Sequence, residues 1–443
     1  MANANRLLKG MRSRFSNRGV ALLLVLGAIM MLTIAVSMFA DNTDIQFELA
    51  YNERDRLQAE YLAYSATNLM LLELQMEKSA KSMLANAPAA VSEGLGSTPL
   101  CQKFPMSSSL LKAIFLGGML DGNKSAADGE VAPPIEKKDG PVITGFQQEA
   151  AKEFLDFSGD FDGQCADLQT RINLNQFFDL DPAQQAIAAV NPYDQLKLTI
   201  MSLLQQPVYK ELFDETKPDD IKNIVRNIAD WIDKNDVINE LSGLTGGPET
   251  SLYDSSSYGA ASHQVKNGKM LTLDEVYLVK DVLDDWFTPF REIFTVYGDN
   301  KVNICQADDS VVMAVLARYL TGNQRFGNID LTKPELKEAI KTALATACEA
   351  PQPKPAEIAQ AIDAVLAGNT DNNQGASTSQ PANPSSQTPV TASNLTQLIT
   401  TETQWYELKS TGQVGDVIVH LTQVWDTKGT NPSQWKLIYS KLE

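Results

Sequence analysis

Hydrophobic positions fall into three patterns along the chain. From Val20 to Ala40 no residue is charged, and only Thr33 and Ser37 carry polar side chains. At about 1.5 Å of rise per residue, such a run spans a hydrocarbon layer of roughly 30 Å. From Asn42 to about Leu84 there is neither proline nor glycine. Apolar residues recur there at helical spacing, at Ile45, Leu49, Leu57, Tyr61, Tyr64, Leu71, Leu72 and Met76, with Asn68 as an interruption. The two runs predict one helix of roughly 60 residues. Its second half is amphipathic and should pack on a globular domain through that apolar face, with Glu73 and Glu77 turned to solvent.

The second pattern is short apolar runs bounded by turn residues. Pro141–Phe146 and Arg171–Phe177 have strand character, and helices are expected over roughly Pro182–Gln206 and Asp219–Lys234. Asn86–Pro99 and Asp121–Pro141 read as loops, as does Asp156–Asp167, whose alternating acids make it a weaker candidate for a second ion site. The third pattern is strict alternation near the C-terminus, in Trp405–Asp426 and Trp435–Leu442, which predicts strands. Before it, Glu349–Asn394 is read as a linker. From Gly368 onward it is rich in Ser, Thr, Asn, Gln and Pro, a composition that cannot offset the entropy of ordering.

Charge adds an orientation. Arg6, Lys9, Arg12, Arg14 and Arg18 precede the apolar run, and Asp41 and Asp44 follow it, which places the N-terminus in the cytoplasm and the body outside. The chain has 443 residues and a net charge of −18, carried by the body. Such a body repels phosphate backbones, so no nucleic-acid partner is expected. There is no G-x-S-x-G, no phosphate-binding glycine loop and no H-E-x-x-H, and the only histidines are His263 and His420, so no catalytic residue is assigned. Four cysteines, Cys101, Cys165, Cys305 and Cys348, allow three disulfide connectivities in an exported chain. Pairing Cys101 with Cys165 and Cys305 with Cys348 closes each loop within one region; buried thiols are the alternative.

The apolar run could belong to a cleaved secretory signal or an ordinary anchor. It is too long for a signal and lacks a small-x-small site after it. Ser16-Asn17-Arg18-Gly19 followed by Val20–Leu32 resembles the leader junction of type IV pilin-like proteins. In that family a prepilin peptidase cuts after the glycine, so the resemblance implies cleavage between Gly19 and Val20, with methylation of the new terminus and retention of the helix. The family usually has glutamate at the fifth mature position; here that is Leu24. In a filament, that glutamate pairs with a neighbour's amino terminus, a charge costly to leave unpaired among apolar groups. A subunit without it suits the tip.

Further along, Ala166–Phe177, Ile224–Asp236, Gly246–Tyr253, Leu271–Val282 and Phe294–Asp308 follow, in order and spacing, the segments of minor pseudopilins of the K type from type II secretion systems. The resemblance covers residues 14–320. It implies an α+β, pilin-like fold: a long N-terminal transmembrane and amphipathic helix on a small antiparallel sheet, with an inserted, mostly α-helical domain like SAM or helix-hairpin-helix domains. The domains are then a leader (1–19), the helix (20–85), a first pilin-like part (86–178), the insert (179–348), the linker (349–394) and closing strands (395–443).

The resemblance also implies calcium, with Asp233 and Glu249 matching the family's ligands. The residues themselves suggest Asn235, Asp236 and Asp254 beside them, although Asn235 and Thr250 stand where acids are usual. The spacing does not fit an EF-hand. The expected role is that of a minor pseudopilin at the pseudopilus tip, initiating or capping assembly with smaller minor pseudopilins through the helix. It would contact the inner-membrane assembly platform and possible secreted cargo. The alternative is a type IV pilus minor pilin or adhesin, or a single-pass anchored periplasmic binding protein.

Overall fold

The computed structural model describes residues 17–84, 98–116, 157–182, 191–213, 219–241, 245–253, 264–321, 326, 329–350, 353–369, 392–429 and 431–443. The strand expected at 141–146 and the loops at 86–97 and 121–141 lie outside them. The first helix, α1, runs unbroken from Asn17 to Leu84. Every large apolar side chain from Leu22 to Phe39 on it is more than half exposed. By length and composition this part can cross a membrane.

Beyond it come β1 (Met106–Ser107), α2 (Ser108–Leu116) and β2 (Asp160–Asp167). After the insert, which holds β3 to β8, follow β9 (Trp405–Val414), β10 (Val417–Asp426) and β11 (Lys436–Leu442). These five strands form one antiparallel sheet in the order β1-β2-β9-β10-β11. Asp156–Asp167, read from sequence as a loop, is therefore largely a strand inside the sheet. Its alternating acids Asp160 and Asp162 are exposed while Phe161 and Gly163 face inward, which is period-two strand geometry rather than an ion loop.

The second half of α1 lies across β2, β9 and β10. Its packing face differs from the expected one. Leu57, Tyr61, Leu72 and Met76 are 48–73% exposed, while Ala59, Leu62, Ala63, Ala66, Met70 and Leu74 are buried. The reason is distance. A Cβ on Gly412 of β9 would stand 1.9 Å from the carbonyl oxygen of Ala59 and 2.9 Å from the amide nitrogen of Ala63. Helix and strand backbones touch there, and only small residues permit it. Lower on the same face, Thr67 and Ser410 hydroxyls meet at 2.8 Å.

Glu73 and Glu77 are also buried rather than solvent-facing. Glu77 accepts from Lys81 and, at 2.8 Å, from the amide of Leu100. Glu73 leaves one buried carboxylate oxygen without a partner. Its carboxyl is pushed up to about 7, first by burial and then by Glu77. Lys78 crosses to the Thr427 hydroxyl at 2.8 Å and covers the Trp435 ring.

The insert leaves the sheet at β2. It contains β3 (Ile172–Asn173), α3 (Pro192–Leu204), α4 (Asp219–Ile232), β4 (Val237–Asn239), β5 (Thr245–Pro248), β6 (Phe294–Thr295), β7 (Val302–Asn303), α5 (Asp309–Thr321), α6 (Pro334–Cys348), α7 (Pro355–Gly368), α8 (Ala392–Leu398) and β8 (Ile399–Thr400). One core joins it, including Ile200, Val225, Ile228, Phe287, Phe290, Val315 and Ile340. Helix α7 falls inside the segment read as a linker. Its Ile358, Ala359, Ile362 and Leu366 enter that core, so the 349–394 reading fails for this helix. Residues 370–391 lie outside the described part. Leu271–Val282 holds only a 3-10 turn at Leu273–Leu278, closed by a Thr272–Glu275 capping box.

One residue pins the insert to the sheet. Asp167, at the end of β2, accepts from Asn303 Nδ2 at 2.8 Å, Thr403 Oγ1 at 2.6 Å and the Gln169 amide at 2.7 Å. Strands β7 and β8 pair in parallel beside it. Disulfides link Cys101 to Cys165 and Cys305 to Cys348.

Gly412→Ala is expected to cost about 2–3 kcal/mol, because backbone on both sides blocks relief of the overpacking; chemical denaturation of the full chain in detergent checks it. For Glu73 the folded-state value lies above the ordinary 4.5. Its contribution to stability is therefore complete below about pH 4.5 and is lost as pH rises through about 7. Glu73→Gln should flatten that fall and raise stability at pH 7 by on the order of 1 kcal/mol, read from melts across pH.

Candidate metal site

The strongest chemistry in the described residues lies where α3, α4 and the β4–β5 hairpin meet. The last turn of α4 carries Asp230, and Asp233 follows immediately, so a spacing of three residues places both carboxylates on one side of the helix end. That end bears the negative pole of the helix, where acids are disfavoured without a cation. The hairpin turns the chain back, and the amide of Glu249 donates to the Asp236 carbonyl at 3.1 Å. This brings Glu249 in from the other side. One carboxylate oxygen each from Asp230, Asp233 and Glu249 lies within 4.8 Å of the others, and all three residues are buried.

Their hydrogen bonding is uneven. Asp233 is well satisfied, accepting from Tyr193 Oη at 2.5 Å, Asn239 Nδ2 at 2.9 Å and the Asn235 amide at 3.1 Å. Asp230 Oδ1 accepts from the Asn239 amide at 3.1 Å, but its Oδ2 and both Glu249 oxygens are buried without a hydrogen-bond partner. Orphaned carboxylate oxygens of this kind cost free energy unless a cation or a proton meets them. Burial pushes Glu249 up to about 9, with Asp233, Asp230 and Asp236 adding to the rise. Asp230 is pushed up to about 7 chiefly by burial, and Asp233 is raised by the same cause.

The sequence-predicted ligands divide. Asp233 and Glu249 come together. Asn235 spends its side-chain oxygen on the Val237 amide at 2.8 Å and on Asn239 Nδ2 at 3.3 Å. Asp236 is exposed and accepts from Asn267 Nδ2 at 2.6 Å. Asp254 lies outside the described residues. Asp230, not anticipated as a ligand, completes the triad; its three-residue offset from Asp233 on α4 was the available signal. An all-carboxylate donor set without sulfur or imidazole fits a hard divalent cation such as calcium.

No family model matches the chain, and no curated protein matches it. Among solved structures, a chain of the GspK-GspI-GspJ complex from the enterotoxigenic Escherichia coli type 2 secretion system is similar to it. The identity is 13%, the match covers 76% of this chain and 94% of that one, and the TM-score is 0.38.

If the triad holds calcium, the ion at a hundred times its Kd should stabilise the chain by about 2.7 kcal/mol. Thermal melts with calcium or with chelator measure this. Glu249→Gln should abolish the calcium-dependent gain, and in chelator it should melt no lower than wild type, because it replaces a buried carboxyl whose oxygens have no hydrogen-bond partner.

Proposed function

We propose that the chain is a minor pseudopilin that occupies the tip of a type II secretion pseudopilus and initiates or caps its assembly. The observation that carries this reading is the division of α1. One unbroken helix has an exposed apolar first half and a second half docked through small residues onto an antiparallel sheet. That division suits a subunit anchored in the inner membrane before assembly, its N-terminus cytoplasmic and its body periplasmic. The large residues left outside, Leu57, Tyr61, Leu72 and Met76, offer a second helical face for the helices of smaller minor pseudopilins. The helical insert adds bulk that would clash if repeated along a filament, and Leu24 offers no charge to a following subunit. Both favour the tip.

On this reading prepilin peptidase removes residues 1–19, the new terminus at Val20 is methylated, and the inner-membrane assembly platform receives the mature chain. The Asp230–Asp233–Glu249 triad holds a calcium ion that draws the α4 end and the β4–β5 hairpin together. The role is structural, with no catalytic step.

Mass spectrometry of the chain isolated from membranes of a bacterium with a type II secretion system should find Val20, N-methylated, at the amino terminus. An intact Met1 overturns the pseudopilin reading in favour of a plain anchored protein. Co-purification with the smaller minor pseudopilins, lost on Tyr61→Asp, separates a secretion tip from a pilus adhesin.

A further inference from the structure

The acids form one wall of the site, and α3 forms the other. Tyr193 and Lys197 stand four residues apart on α3 and therefore share a face. The Tyr193 hydroxyl donates to Asp233, and the Lys197 ammonium lies 4.6 Å from the centre of the Tyr193 ring. Lys197 is only 2% exposed. It donates to the backbone carbonyl oxygen of Asn239, and Asn239 in turn donates from its amide to Asp230 and from its side chain to Asp233. The buried ammonium is thus one residue removed from two of the three carboxylates and takes no oxygen from them. The three oxygens that lack hydrogen-bond partners, two on Glu249 and one on Asp230, stay free.

Other acids lie around this centre, and Asp194 and Glu240 also act on Lys197. Glu240 pairs with Arg226 at 2.8 Å, and Asp194 sits in the first turn of α3, where the helix pole favours an acid. With a cation bound and the triad ionised, its three carboxylates and the ammonium sum to a net of two negative charges. One divalent ion balances it; a trivalent ion or a second divalent ion leaves an excess buried charge, which is costly.

We propose that Lys197 is the specificity-determining residue of this site, a built-in cation that restricts the triad to a single divalent ion. The proposal rests on reading the triad as a cation site. It assigns Lys197 a positioning role through charge, not ligation.

The test is calorimetric titration of the full chain in detergent with calcium and with terbium(III), for wild type and Lys197→Met. Binding counted at the site is the part lost in Glu249→Gln. At an effective dielectric of about 20, removing the ammonium relieves a repulsion that grows with each unit of ion charge, on the order of tenfold in affinity per unit. Calcium should therefore bind more tightly in Lys197→Met, and the terbium-to-calcium affinity ratio should rise on the order of tenfold. An unchanged ratio, with calcium still bound by wild type, overturns the role of Lys197 alone. Failure of wild type to bind either ion overturns the proposal together with the cation site. Thermal melts supply a second readout: the difference between calcium and chelator should widen in Lys197→Met, and an equal difference overturns the proposal.

Discussion

The contact on which this molecule depends is the meeting of two backbones, where Ala59 and Ala63 of α1 lie against Gly412 of β9. Everything on the sheet-facing side of the helix follows from how close that approach is. At that point of contact only small residues fit, so the helix presents Ala59 and Ala63 there and leaves Leu57 and Tyr61 outside. Lower down, where α1 reaches the level of Glu73 and Glu77, the interface admits longer side chains and becomes polar. The same helix is therefore tightly docked in one stretch and electrostatically loaded in the next.

Much of the architecture was legible in the sequence. The alternation in Trp405–Asp426 named two central strands, and the absence of glycine and proline after Asn42 named the long helix. The choice of helix face was not legible, because hydrophobic periodicity assumes that the largest apolar residues are buried. Here the buried stripe is chosen by steric fit against a glycine that lies far along the chain. The strand Asp160–Asp167 was missed for a related reason: its apolar face is supplied by Phe161, a glycine and a disulfide cysteine, so it carries little hydropathy signal. Helix α7 was hidden by the proline-rich start of its segment, although proline at the first turn of a helix is well tolerated.

The metal site shows the same division between local and distant information. Asp233 and Glu249 could be named from resemblance, and Asp230 from helical spacing. Lys197 could not, because lysine is seldom buried and its place beside the acids arises only when α3 packs on α4. Its burial is tolerable because Asn239 and the Tyr193 ring receive the ammonium on one side and the acids balance it at longer range.

The sheet order has a consequence for how the chain comes to be folded. Strand β2 ends at Asp167, yet its partner β9 begins only at Trp405. In a chain delivered from its N-terminal end onward, α1 and β2 wait without their central neighbour until almost the whole chain is present. The insert, whose core is largely assembled from its own residues, can condense in that interval and shorten the gap between the two strands. The helical domain thereby acts as a folding clamp in time as well as a mass in space, holding the ends of an unfinished sheet near each other until β9 arrives to close it.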